Sequence, residues 1–346
     1  MASHVFASGP TQAVVKYLKE KNPAGRLLFI GHPLFPESPF LYLGHFFLTL
    51  FRVFQTKEKW DLFIGANSLN ALAGVVLKYL GQVKKVVFYG VDYAPHRFEN
   101  RLINSIYHLV DWMSILGADE VWSLSQRMAK ARQVPQAKSK IVSMGVWLDE
   151  IKRAPFSRVK KQTLVFAGHL LEKQGVQLVI RAIPEIMKKI PDFHFLILGK
   201  GEYKSELQKL AEKENVTARI TFAGYIEDHE KMAALISQSA LAIAPYATGD
   251  QERNFTYYAD PGKLKDYLAA GLPIILTDVP HNARLIAKAG CGQVVAYQKK
   301  AIAQAVIKML ADSQKLKKYR LNAIKLIQNY DWHRIYDQVF QGMIEK

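Results

Sequence analysis

Short apolar runs alternate with longer stretches in which apolar residues recur at three- and four-residue spacing, and the alternation continues along the whole chain. In the first half, His4–Ala7, Arg26–Ile30, Leu62–Gly65, Val86–Tyr89, Glu120–Ser123 and Ile141–Ser143 read as strands. Helical spacing covers Gln12–Lys21, Asn70–Leu80 and Arg101–Leu116, with Thr11 in position to cap the first of them. The pattern then restarts. Strands are predicted at Thr163–Ala167, His194–Leu198, Ile220–Ala223, Leu241–Ala244, Ile274–Leu276 and Gln293–Ala296. Helices are predicted to begin near Gly175, Tyr203, Asp228, Lys263, Asn282 and Lys299. Strands alternating with helices predict an α/β fold with parallel sheets covered on both faces. The charged, proline-containing stretch 149–161 reads as a linker, and 331–345 as a closing amphipathic helix with an aromatic face. The expected organisation is one domain over 1–155, a second over 156–330 and a C-terminal helix over 331–346 crossing back to the first.

The most apolar segment, Phe40–Phe54, is too short to span a bilayer, which takes about 20 apolar residues, and it carries His45 and Arg52. It reads first as a buried helix and second as an aromatic helix dipping into a membrane surface. No basic stretch followed by an apolar run opens the chain, which argues against a secretory signal. The expected location is cytoplasmic, at most on the cytoplasmic face of a membrane. Cys291 is the only cysteine, which excludes an internal disulfide or a cysteine-based zinc site. The formal net charge of +17 is spread evenly: residues 1–155 hold 19 Lys+Arg against 11 Asp+Glu, and 156–346 hold 28 against 19. Such an excess attracts polyanions in general. No helix clusters basic residues and no aromatic-interleaved RNA motif occurs, so nucleic acid is not an expected partner. No G-x-x-x-x-G-K-[ST] motif is present, so P-loop chemistry is excluded.

In open α/β sheets, ligands bind beyond the carboxyl ends of the strands and at helix N-termini. Four such loops in the second half carry glycine: GHLLEKQG at 168–175, Gly199-Lys200-Gly201, Gly224-Tyr225-Ile226, and Asp260-Pro261-Gly262-Lys263-Leu264-Lys265-Asp266. The last carries the most. Pro261-Gly262 precedes a helix start, where free backbone N–H groups and the dipole favour a phosphate. Lys263 in the first turn opposes that dipole, and a bound diphosphate would explain it. Asp266, three residues on, shares its face. A solvated Lys–Asp pair is the alternative.

The run GKLKDYLAAGLPIILTD at 262–278 resembles the PLK-x-x-E-Y-L-A-A-G-x-P-V-V signature of family 4 glycosyltransferases, which have the GT-B fold. FAGHLLEKQGVQLVIRAI at 166–183 is similar to their V-G-R-L-x-x-x-K-G element. FLILGKG at 195–201 and ITFAGYI at 220–226 are similar to two further nucleotide-binding segments. GADEVWSLSQRM at 117–128, KIVSMGVWLDE at 140–150 and the helix around Trp332 resemble the run-up to the interdomain linker and the crossing helix. The resemblance implies two Rossmann-like domains facing across a cleft. It implies retaining, metal-independent transfer of a sugar from a nucleoside diphosphate, UDP or GDP, to an acceptor hydroxyl on a glycan or lipid-linked molecule, without a further cofactor.

The same resemblance implies the donor residues. Gly168 is the glycine of the first loop, beside His169 and Lys173, and Gly199 belongs to the second. Tyr225 and Ile226 would flank the base. Pro261, Gly262, Lys263 and Leu264 would meet the phosphates, and Asp266 the ribose. Four positions depart from the family pattern: His169 stands for its arginine, Gln174 for its lysine, Tyr258 for the first glutamate of E-x7-E, and Asp266 for the second. In the first half, Asp92 lies where related enzymes hold a histidine or aspartate near the reacting sugar. His32 and Asn67 follow predicted strands and are candidates for acceptor contact; His96 and Arg97 are candidates for contact with an anionic acceptor, with a solvated helix lead-in as the alternative. Two competing readings remain: an impaired homologue acting as a nucleotide-sugar sensor or scaffold, and a nucleotide-sugar epimerase.

Overall fold

The computed structural model describes residues 1–4, 9–33, 39–341 and 343. They form two compact units: Met1–Met144 with Asp250–Asp260 and Trp332–Lys346, and Gly145–Gly249 with Pro261–Asp331. In the first unit the elements run β1 (Ala2–His4), α1 (Pro10–Lys21), β2 (Ile30–His32), α2 (Pro39–Gln55), β3 (Trp60–Ala66), α3 (Ser68–Tyr79), β4 (Val83–Gly90), α4 (Arg101–Gly117), β5 (Glu120–Ser123), α5 (Gln126–Ala131) and β6 (Ser139–Ile141). All neighbouring strands are parallel, in the order β2-β1-β3-β4-β5-β6. Most of the strand expected over His4–Ala7 lies outside the described residues. Thr11 does not cap α1: the helix begins at Pro10 after Gly9, and Thr11 is buried.

The second unit runs β7 (Lys160–Ala167), α6 (Val176–Met187), β8 (His194–Leu198), α7 (Lys204–Lys213), β9 (Ile220–Gly224), α8 (His229–Ile236) and β10 (Ser239–Ala244). After α9 (Phe255–Tyr258), which belongs to the first unit, come α10 (Gly262–Ala269), β11 (Ile274–Thr277), α11 (Ala283–Lys288), β12 (Gly292–Val295), α12 (Lys299–Leu310) and α13 (Ser313–Ile327). The sheet order is β12-β11-β10-β7-β8-β9, all parallel. Counted from β7, this is the 3-2-1-4-5-6 order of dinucleotide-binding sheets, and the first unit has the related 2-1-3-4-5 order with one strand added. Strands of such sheets are covered on both faces and so read as continuous apolar runs. Accordingly, every residue of β10 and β11 is buried, around a core that includes Phe166, Ile180, Phe195 and Ile243.

The units differ from the expected division at 155/156. The boundary falls at Met144/Gly145, and the stretch 149–161 is not a free linker. The backbone N–H of Ala154 donates to Ser237 Oγ (3.0 Å), its carbonyl accepts from Arg320 (2.8 Å), and Arg153 donates to the carbonyl of Ala269. The segment Asp250–Asp260 leaves the second unit for the first. There Ser125 Oγ donates to the carbonyl of Tyr258, Arg127 lies 4.2 Å over the Tyr257 ring, and Asp260 accepts from the Met144 N–H at 2.9 Å. The closing helix α14 (Trp332–Val339) packs on α1. The Tyr336 and Phe340 rings lie 5.3 and 5.6 Å from Tyr17, and Tyr336 donates to the carbonyl of Pro10.

Helix α2 is turned opposite to a buried apolar helix. His45, Thr49 and Val53 face inward, whereas Leu43, Phe47, Phe51 and Phe54 are exposed. His32 on β2 explains the inversion: its Nε2 is 2.8 Å from Thr49 Oγ1, and its ring stacks on His45 at 4.6 Å. The polar side chains have partners inside, so the apolar ones are left outward. Burial lowers the pKa of His45, which keeps it neutral there. Among the described residues, no helix is long and apolar enough to cross a membrane.

Candidate nucleotide site

The second unit has a concavity of about 130 Å³ at the carboxyl ends of β7, β8 and β9. It is lined by Gly168 and His169 after β7, Gly199 and Lys200 after β8, Tyr225 and Ile226 after β9, and Lys263 and Asp266 from the first turns of α10. Residues from four loops, separated by nearly a hundred positions, thus meet in one place.

The glycines are required by geometry. Gly168 has φ +145°, and a Cβ there would lie 2.6 Å from the Lys263 ammonium nitrogen. Gly199 also has φ +145°, and its Cβ would lie 1.9 Å from the Gly168 carbonyl oxygen. Few side chains adopt that backbone region. The two turns therefore nest against each other and leave the space that the lysine fills.

Lys263 is the centre of the concavity. Its Nζ donates to Gln174 Oε1 at 2.7 Å and lies 4.3 Å from the Phe166 ring centroid and 5.3 Å from that of Tyr246. Burial pushes its pKa down to about 7, partly countered by the charge of Asp266. Helix α10 starts after Pro261 with no side-chain cap. A first turn that lacks a capping acceptor and carries a lysine gathers positive potential at one point. Lys200 adds a second cation, 4.5 Å over the exposed Tyr225 ring. An anionic group entering here meets Lys263, Lys200 and a helix N-terminus together.

Not every candidate reaches this place. Lys173 is exposed and absent from the lining; its neighbour Gln174 holds Lys263 instead. The Leu264 side chain is in the core, and its N–H donates to the Pro261 carbonyl at 3.2 Å. Pro261 and Gly262 contribute the start of α10 rather than lining atoms. Sequence reasoning named Lys200 only as part of its loop and Gln174 only as a departure from the family's lysine, because their partners Tyr225 and Lys263 are distant in the chain. Among the described residues, no group of three or more His, Cys, Asp or Glu side chains is gathered to hold a metal ion.

In the first unit, Asp92 pairs with Arg97 at 3.1 Å. Arg97 also lies 5.4 Å from the Tyr107 and Phe255 ring centroids, and His96 pairs with Glu252 at 2.8 Å. Both therefore tie the loop after β4 to the segment 250–260 rather than standing free. Asn67 adopts φ +67° ahead of α3 without capping it. His32 is a correction: it is fully buried against Thr49 and His45, so its side chain offers no surface to an acceptor.

Two Rossmann-like units with these sheet orders, one bearing a glycine-lined concavity at its strand ends, define a protein of the GT-B fold. The solved structure of Anabaena HepE in complex with UDP and glucose superposes with a TM-score of 0.75 at 14% identity, over 99% of this chain and 98% of that one. WaaG, a glycosyltransferase involved in lipopolysaccharide biosynthesis, superposes with a TM-score of 0.70 at 16% identity, over 100% and 99%. The chain belongs to the glycosyl transferases group 1 family, which matches residues 149–326. A curated relative, the phosphatidyl-myo-inositol mannosyltransferase of Mycobacterium leprae, is 25% identical over 226 residues, 64% of this chain and 55% of its own length. The chain spans about half the length of the curated relatives it matches.

Proposed function

We propose that this protein transfers a sugar from a nucleoside diphosphate sugar to an acceptor hydroxyl, with retention at the anomeric carbon and without a metal. The observation that carries the reading is Lys263, held between Phe166 and Tyr246 at the N-terminus of α10 with Gly168 opened around it. In this reading Lys263 and the first turn of α10 take the leaving diphosphate and offset the charge that develops as the sugar departs. Asp266 accepts from the ribose, and Tyr225 and Ile226 flank the base. Asp92 is the candidate to act near the reacting sugar, steered by Arg97. A relative solved with UDP makes UDP-sugars the first donors to try.

A thermal-shift panel of UDP-, GDP-, ADP- and dTDP-sugars tests the reading. A ligand at 100 times its dissociation constant stabilises by about 2.7 kcal/mol. Donor hydrolysis without acceptor then separates an enzyme from a sensor that only binds. No stabilisation by any of the four would overturn the proposal.

The proposed acceptor is lipid-linked or membrane-proximal, reached by peripheral docking of the first unit on an anionic bilayer. Helices α2, α3 and α4 lie in one layer, with α3 packed between the other two. Leu43, Phe47, Phe51 and Phe54 of α2 are exposed, and so are Leu102, Ile106, Leu109, Trp112, Met113 and Leu116 of α4. Neither helix has an exposed carboxylate of its own; Arg52 and Arg101 are exposed on them and Lys57 and Lys59 just after α2, against Glu99 exposed just before α4. Apolar insertion flanked by cations suits an anionic leaflet, at about 1 kcal/mol per well-placed cation. A phosphatidyl-myo-inositol mannosyltransferase among the relatives supports a lipid acceptor.

A further inference from the structure

Lys263 carries a reactivity that sugar transfer does not use. A lysine amine attacks carbon only when it is neutral. At pH 7 an ordinary lysine, with a pKa of about 10.4, is neutral in roughly one molecule in 2,500. Three features favour the neutral form of Lys263. The Phe166 and Tyr246 rings, 4.3 and 5.3 Å from Nζ, belong to buried side chains and keep water from that end of the lysine. Its hydrogen-bond acceptor, Gln174 Oε1 at 2.7 Å, is a neutral amide oxygen and not a carboxylate. The dipoles of α10 point their positive end at the turn that holds it. With a pKa of about 7, half of the molecules carry the free amine at neutral pH. A less basic amine is also a weaker nucleophile. On the slope of about 0.4–0.5 that thiolates follow, the net advantage over an ordinary lysine is still roughly twenty-five- to fiftyfold.

The surroundings select the carbon it attacks. Lys263 is half-buried and lines the concavity beside Gly168, where no side chain shields the nitrogen. Lys200 is exposed on the same concavity, and the uncapped first turn of α10 adds its N–H groups. An anionic group seated there holds an attached carbonyl near Lys263 and raises its effective concentration. A space of about 130 Å³ limits the compound to a small one. We propose that Lys263 condenses with small phosphorylated aldehydes, of the triose phosphate class, and that the imine closes the nucleotide site. In the step the amine nitrogen bonds to the aldehyde carbon, and its two hydrogens leave with the carbonyl oxygen as water. No oxidant or reductant is consumed. The imine then takes up a proton, and its charge faces the phosphate. The condensation needs only the concavity; that it blocks sugar transfer rests on the donor reading given above.

The test incubates the full chain at pH 7 with D-glyceraldehyde 3-phosphate or with D-glyceraldehyde, traps imines with cyanoborohydride and maps the labelled lysines by mass spectrometry. The phosphorylated aldehyde should label Lys263 at least tenfold faster than exposed lysines such as Lys317 and Lys318, and at least tenfold faster than glyceraldehyde does. Lys200→Ala alters an exposed side chain and should slow the phosphorylated aldehyde threefold or more while leaving glyceraldehyde unchanged, with a melting curve to report folding. Labelling of Lys263 no faster than that of Lys317 would overturn the proposal, as would equal rates for the two aldehydes or a wild-type rate in Lys200→Ala. A saturating mixture of UDP-, GDP-, ADP- and dTDP-glucose should suppress the label at Lys263 at least tenfold. If the label forms but the mixture does not suppress it, the condensation stands, and both the closure and the donor reading of this concavity fall.

Discussion

The pH dependence of donor binding follows from Lys263. In the free protein its pKa is about 7 because it is buried with Gln174 Oε1 as its hydrogen-bond acceptor. A diphosphate beside it favours the ammonium and returns the pKa toward the ordinary value of about 10.4. Binding therefore takes up a proton whenever the free lysine is neutral. Below pH 7 that proton is already present, and affinity is level. Above pH 7 the dissociation constant rises by about tenfold per unit, so roughly tenfold between pH 6 and pH 8. A nucleotide sugar is the ligand of choice, since both of its phosphates are substituted and neither titrates in this window. Lys263→Met should lose about 1.5–3 kcal/mol of binding at pH 6, the range for a charge-assisted hydrogen bond, and should bind with no slope in pH. Calorimetry in two buffers of different ionisation enthalpy counts the proton directly. A flat dissociation constant for the wild type between pH 6 and 8, or an unchanged slope in Lys263→Met, would refute the assignment. Without ligand the sign reverses. Between pH 7 and about 10.4 the unfolded chain binds one proton more than the folded one, so stability should rise with pH through that window, and Lys263→Met should melt higher than the wild type at pH 7.

Gly168→Ala brings a methyl group 2.6 Å from Lys263 Nζ at φ +145°, and should both lower the melting temperature and weaken nucleotide-sugar binding at least tenfold; wild-type affinity would show that the lysine is not the contact. Transfer should persist in excess EDTA, because the proposed site meets the diphosphate with Lys263 and the start of α10; complete loss, restored by Mg²⁺, would refute this. Phe47→Ser with Phe51→Ser removes two exposed rings of α2 and should reduce sedimentation with anionic vesicles without lowering the melting temperature, with the wild-type binding weakening as salt rises. Protein that stays in the supernatant with anionic vesicles at low salt would remove the membrane reading. Cys291 is fully buried, with its thiol pushed up to about 11, so it should resist iodoacetamide until the chain unfolds.

The fold was legible because parallel strands carry their signal locally. Leu241–Ala244 and Ile274–Leu276 are apolar runs bounded by turn residues, and they appear as β10 and β11 with ends one or two residues longer. The loops of the concavity were legible for the same reason: a glycine after a strand fixes a place at the sheet's carboxyl edge. What failed depended on partners far along the chain. Gln174 meets Lys263 across 89 positions. His32 follows a strand, yet its side chain is captured by Thr49 and His45 of the next helix. Those same contacts turned the apolar side of α2 outward, against its composition. Nothing local marks 250–260 as part of the first unit, because Ser125, Arg127 and Met144 supply the contacts.

The composition of the first unit from three stretches of chain governs when it can be finished. Its sheet is complete in sequence by Ile141, but α14 with its Tyr336, and Phe340 just after it, which cover Tyr17 and, through Phe340, Trp122, follow the whole second unit in the chain. At about 5–20 residues per second, the interval between residues 144 and 340 lasts on the order of 10–40 s. Throughout that time a nascent sheet with exposed Tyr17 and Trp122 surfaces waits on the ribosome while the second unit is synthesised. Chaperone capture during elongation, and not only the stability of the finished protein, will therefore set its yield, and a nonsense mutation near residue 331 would release a chain with a complete second unit and a first unit that cannot close.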